Sequence, residues 1–116
     1  MKYLGSCHCG TIRFEVDLDI KEAYSCNCSI CTKRGHLLAF TTESNFKLLS
    51  GEESLSDYQF NKKIVHHLFC KNCGVGPFGQ ANPPGADEPK RAINLRCLDD
   101  FDFESVPVHK IDGRSR

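Results

Sequence analysis

Seven of the eight cysteines fall into three tight clusters, Cys7-His8-Cys9, Cys26-Asn27-Cys28-Ser29-Ile30-Cys31 and Cys70-Lys71-Asn72-Cys73. Cysteines one or two residues apart bridge each other only with strain, yet they readily present two sulfurs to one metal ion. The clusters divide into one four-thiolate set and one three-thiolate set. A four-thiolate zinc site is coordinatively full and structural, whereas three thiolates leave one corner of the tetrahedron to water or an incoming ligand. The chemistry implied is the capture of a small ligand at a metal.

Two of the clusters end in glycine, at Gly10 and Gly74. Glycine permits a positive φ, so the backbone can fold under the sulfurs as a metal knuckle. Each knuckle supplies half a tetrahedron at the end of an expected strand, and pairing those strands in one sheet would close the site. Cys7, Cys9, Cys70 and Cys73 are therefore assigned to a structural zinc. The trio Cys26, Cys28 and Cys31 has no fourth donor nearby in sequence, so its last position falls to water, substrate or a distant residue. Cys97 is the distant candidate, but it shares strand parity with Ile93 and Leu95 and reads as a buried small hydrophobe. Spacing alone leaves zinc and iron both open.

No residue stands out as a general base. His8 lies inside a knuckle and is expected to face solvent. His36 is read as a surface residue at a strand start, with lining of the open site as the alternative. His66 and His67 are neighbours in an expected strand, so at most one can face a given pocket. His109 carries no motif. Lys33 and Arg34 follow the trio and could receive carboxylates, although solvated charge is the simpler reading.

The elements that must position these side chains are mostly strands. Residues 11–17 alternate Ile12, Phe14 and Val16 with Arg13, Glu15 and Asp17, the period of a half-buried strand. Further strands are expected at 22–26, 36–41, 46–50, 55–60, 64–69, 75–79 and 92–98. Residues 29–34 form a single helical turn, too short to stand alone. Residues 81–89, with Asn82-Pro83-Pro84-Gly85, make a surface loop. There is no repeat and no linker, so the expectation is one mostly β domain spanning residues 1–116.

Charge narrows the function classes. Lysine plus arginine and aspartate plus glutamate each number 15, so no broad field draws the chain to nucleic acid or anionic lipid. Seven thiolates would outweigh two Zn2+ ions and make the loaded protein mildly acidic. A zinc ribbon for nucleic acid is further disfavoured, because its C-x2-C pairs are replaced here and no basic stripe accompanies them. A thioredoxin-like role for Cys70 and Cys73 fails because Gly74-Val75-Gly76-Pro77 follows them in place of a helix. No signal peptide or membrane span is expected, and so many cysteines imply a reducing, cytoplasmic setting.

The motifs, taken in order, resemble those of a known family: C-H-C-G before Thr11-Ile12-Arg13-Phe14, then the trio, then His67-Leu68-Phe69-Cys70-Lys71-Asn72-Cys73-Gly74. The similarity continues through Ile93-Asn94-Leu95-Arg96-Cys97-Leu98-Asp99 and Asp112-Gly113-Arg114, and it is weakest across 81–91. The chain resembles the glutathione-dependent formaldehyde-activating enzyme and centromere protein V family. That resemblance implies a small zinc-bound β fold of the Rab-exchange-factor type, with two zinc ions. One ion is structural, and the other, at the trio, has an open position that meets glutathione. The implied reaction joins glutathione to formaldehyde as S-hydroxymethylglutathione, in reverse a carbon–sulfur lyase. Centromere protein V itself serves chromosomes and microtubules, so a non-catalytic zinc-stabilised binding module is the alternative.

Overall fold

The alternation at residues 11–17 becomes a strand whose apolar side is fully enclosed: Ile12, Phe14 and Val16 are each 0% exposed. The structure, a computed structural model, describes residues 1–60 and 63–115. Its strands are β1 (Lys2–Ser6), β2 (Arg13–Asp17), β3 (Ala23–Cys26), β4 (Leu38–Thr42), β5 (Phe46–Ser50), β6 (Leu55–Tyr58), β7 (Val65–Cys70), β8 (Phe78–Ala81), β9 (Lys90–Asn94) and β10 (Val108–Ile111). The one α-helix among the described residues, α1 (Ser29–Arg34), occupies the expected turn. The mostly β reading holds.

These strands form two sheets. The smaller has the order β1-β2-β5, and the larger runs β10-β3-β4-β9-β8-β7-β6. Every pairing is antiparallel except β10 with β3, where Val108 to Ile111 lie alongside Ala23 to Cys26. Between the sheets, Phe14 stacks on Phe46 at 5.5 Å and meets Phe78 edge-on at 5.8 Å, with Ile93, Leu95 and Leu98 packed around them.

Several expected elements shift, for local reasons. The strand expected at 92–98 ends at Asn94, whose side-chain oxygen accepts from the Arg96 N–H and starts a 3-10 turn over Leu95–Cys97. Cys97 therefore owes its surroundings to that turn and to no strand parity. The strand expected at 75–79 begins only at Phe78, since Pro77 lacks a ladder donor. Two strands escaped the pattern reading. β1 has no clean alternation, and β10 is exposed over most of its length; each exists because a neighbour offers it an edge.

The Phe14 cluster sets the expected energetics. Phe14→Ala should lower the unfolding free energy by about 3–5 kcal/mol, the range for emptying a fully buried aromatic site. Leu49→Ala, at a side chain 47% exposed, should change it by no more than about 0.5 kcal/mol. Urea unfolding of both variants beside the parent protein measures the contrast.

Candidate metal centres and the cavity beside them

The first knuckle is the turn between β1 and β2, and the second closes the end of β7. Gly10 donates to the Cys7 carbonyl at 3.2 Å and Gly74 to the Cys70 carbonyl at 2.7 Å, with φ of +82° and +81°. Both glycines thus adopt the left-handed turn that side-chain-bearing residues avoid. The knuckles belong to different sheets, in contrast to the single sheet expected from sequence. Their sulfurs nonetheless converge: Cys7, Cys9, Cys70 and Cys73 all lie within 4.8 Å of one another. Cys9 Sγ is 3.6 Å from Cys7 Sγ and 3.8 Å from Cys70 Sγ. Four sulfurs at tetrahedral zinc bond lengths stand about 3.8 Å apart, so the set fits such an ion.

The surroundings of Cys9 favour thiolate. The Thr11 hydroxyl and N–H, then the Asn72 amide and Cys7, hold the Cys9 thiol down at about 5. The Ile12 N–H donates to Cys7 Sγ at 3.3 Å, and Asn72 Nδ2 donates to Cys9 Sγ at 3.4 Å. Hydrogen bonds of this kind orient and charge-balance metal ligands. His8 is exposed, as expected.

The trio assembles at the junction of β3 and α1, with Cys26 ending the strand, Cys28 capping the helix and Cys31 inside it. Its three sulfurs also lie within 4.8 Å of one another. Burial pushes the Cys31 thiol well above the usual range, and the nearby charges of Cys28 and Cys26 push it the same way. Three thiolates cannot accumulate there without a cation to balance them, so this donor set also fits a metal.

The chain's end closes over the trio. Asn27 donates through its N–H to the Ile111 carbonyl at 3.1 Å and through Nδ2 to Asp112 Oδ1 at 3.0 Å, while the Arg114 N–H donates to Asn27 Oδ1 at 2.9 Å. Gly113 is held so close that a Cβ there would lie 2.5 Å from Cys26 Sγ. This support was not read from the sequence. The available signal was the Asp112-Gly113-Arg114 motif, matched in sequence without a structural role.

A cavity of about 270 Å3 opens beside the trio, and Arg34, His36 and His67 line it. His36 therefore belongs to the cavity, and its reading as a surface residue is corrected. Burial first, then the charges of Arg34 and Arg96, hold its imidazole down at about 4. His67 is lowered too, again mainly by burial. His66 faces away and pairs with Asp57 at 2.6 Å, so the two adjacent histidines do divide between faces. Lys33 and His109 are exposed. The guanidinium of Arg34 sits 5.9 Å from the Phe69 ring centre and, among the described residues, makes no ion pair. Cys97 stands outside both sulfur groups, and burial holds its thiol up at about 11.

A family model described as glutathione-dependent formaldehyde-activating enzyme matches residues 2–111. A crystal structure of a Rhodobacter sphaeroides protein is similar to this chain at 32% sequence identity and a TM-score of 0.79, covering 94% of this chain and 100% of that one.

A depressed imidazole ties folding to pH. The folded His36 binds its proton less readily than the unfolded one, so its contribution to stability is full above pH 6.5 and falls as pH drops toward 4. In His36→Gln, the slope of stability against pH in that window should be shallower by up to one proton. Denaturant melts of both proteins between pH 4 and 7.5 measure the difference.

Proposed function

The chain belongs to the glutathione-dependent formaldehyde-activating enzyme family, and from that premise we propose that it is a carbon–sulfur lyase-type enzyme. Its substrate is an adduct of glutathione, or of another small thiol, with formaldehyde or a related aldehyde. Two zinc ions complete it: Cys7, Cys9, Cys70 and Cys73 would hold the structural one, and Cys26, Cys28 and Cys31 the one with an open position. The observation that carries the reading is the meeting of a three-sulfur group with a cavity.

A zinc ion held by three thiolates would take a substrate sulfur as thiolate, while being too electron-rich to act as a strong Lewis acid. The protein's own part is capture and positioning. The rigid turn from β3 into α1 fixes the three sulfurs, and the Asn27 clasp keeps the chain's end behind them. Arg34 offers an unpaired positive charge to a carboxylate of the thiol. His36 and His67, both held neutral, face the cavity and can accept a hydrogen bond from the adduct's hydroxyl. In the cleavage direction the C–S electron pair returns to sulfur and the hydroxyl oxygen gives up its proton. Thiol and aldehyde leave with no net oxidation. All eight cysteines are unbridged, which suits a reducing, cytoplasmic setting. Among the described residues no helix is long and apolar enough to cross a membrane.

Two measurements test the division of labour. Cobalt-substituted protein titrated with glutathione should show a saturable change in its visible spectrum. An unchanged spectrum would remove the enzyme reading and leave a metal-stabilised module. In parallel, Cys70→Ser should abolish cooperative folding, because structural zinc binding, at about 10–16 kcal/mol, rivals the whole stability of a small domain. Cys28→Ser should lose one of the two bound metals and keep a cooperative melt. Equal loss of folding in both variants would refute the assignment.

A further inference from the structure

The cavity beside the trio is larger and more apolar than a one-carbon aldehyde requires. Ile30, Leu38, Phe40, Val65, Phe78 and Ile111 supply the large apolar side chains of its wall. Its polar lining is sparse. Asn94 is already engaged, donating through Nδ2 to the Gly76 carbonyl at 3.0 Å and accepting from the Arg96 N–H at 3.1 Å. Among the described residues Arg34 is the one charged side chain in the lining, the two histidines being neutral, and no aspartate or glutamate lines the wall.

That lining suits one end of a thiol adduct and not the other. Glutathione carries two carboxylates, an ammonium and two amides, and most of these would lose water inside the cavity without finding a partner. They belong on the Arg34 side of the cavity, where the guanidinium, beside His36 and Gly76, can receive one carboxylate. The sulfur belongs at the trio, so the space behind it is left to whatever the aldehyde brings. Formaldehyde brings a single carbon, scarcely larger than the ~30 Å3 of a water molecule in the liquid. An apolar cavity of about 150 Å3 already accepts benzene, and this one is about 270 Å3. Phe40 and Val65, 49% and 40% exposed, carry the apolar surface out to the rim.

We infer that the carbonyl half of the substrate is an apolar aldehyde of several carbons, an aliphatic chain or an aromatic ring, seated in the cavity between β4, β7, β8 and α1. The inference rests on the proposed binding of the thiol at the trio. The bond changes are those already described: the C–S bond breaks, the hydroxyl proton is released, and the larger aldehyde leaves in place of formaldehyde. Hydrophobic discrimination grows with each methylene that finds a matching wall, so the preference should appear as a graded dependence on chain length.

Calorimetric titration of the metal-loaded protein with S-methyl-, S-butyl-, S-hexyl- and S-benzylglutathione reads this without turnover. These stable thioethers keep the thiol half constant and vary the other half. Affinity should rise at least ten-fold from S-methyl to S-hexyl, with S-benzyl near the upper end. Ala92→Leu, which fills the cavity from β9, should erase the rise, and Val65→Asp at the rim should reduce it about three-fold. A flat series, or affinity that falls with chain length, overturns the inference. So does a rise that survives undiminished in both variants, because the chain would then be bound elsewhere. The cobalt spectrum separates the two readings. If glutathione perturbs it while the series is flat, only the apolar half is wrong; if glutathione leaves it unchanged, thiol binding at the trio fails and this inference fails with it.

Discussion

Cys7 and Cys9 hang from the three-stranded sheet, and Cys70 and Cys73 from the seven-stranded one. Neither sheet can move against the other without separating those sulfurs. Thiolates that close repel one another, so an ion held between them would turn a repulsive contact into a cross-link between the sheets. The core it spans is modest, a cluster around Phe14, Ile93 and Leu95. A small β domain with so little to bury gains much from one fixed point between its layers. The knuckle backbone prepares that point, since the Ile12 N–H and the Asn72 amide are aimed at sulfur by the turns themselves.

The second sulfur group is built on a different principle. All three of its donors come from one short segment, so it needs no cross-sheet closure to exist. What it needs is a backing, and the parallel strand β10 provides one. Ile111 aligns with Cys26, and the residues that follow wrap Asn27 from both ends of its side chain. The approach at Gly113 leaves no room for even a methyl group beside Cys26. A group supported from behind in this way keeps its free side toward the cavity.

The cavity's electrostatics follow from burial. Apolar walls from β4, β7 and β8 lower the local dielectric, which discourages charge on His36 and His67 and leaves Arg34 as the fixed cation. The same walls that hold the imidazoles neutral provide the surface on which an apolar group can settle. One side of the cavity thus carries the charge of Arg34 while the rest of its wall is largely apolar, out to Phe40 and Val65 at the rim.

Spacing alone determined the three local clusters: C-x-C, C-x-x-C and the trio can each present sulfurs to one ion because the reach of adjacent side chains is a local property. Alternation alone determined β2, and the helical turn at residues 29–34 was equally legible, because both depend on near neighbours. Tertiary structure decided the rest. The meeting of two knuckles from different sheets, the pairing of β10 with β3, and the choice of His67 over His66 for the cavity all involve residues tens of positions apart. His36 was misjudged for the same reason: whether an imidazole is solvated or desolvated depends on which distant strands pack over it. Local chemistry is written in sequence order, but burial is a relation between segments, and only the folded chain brings those segments together.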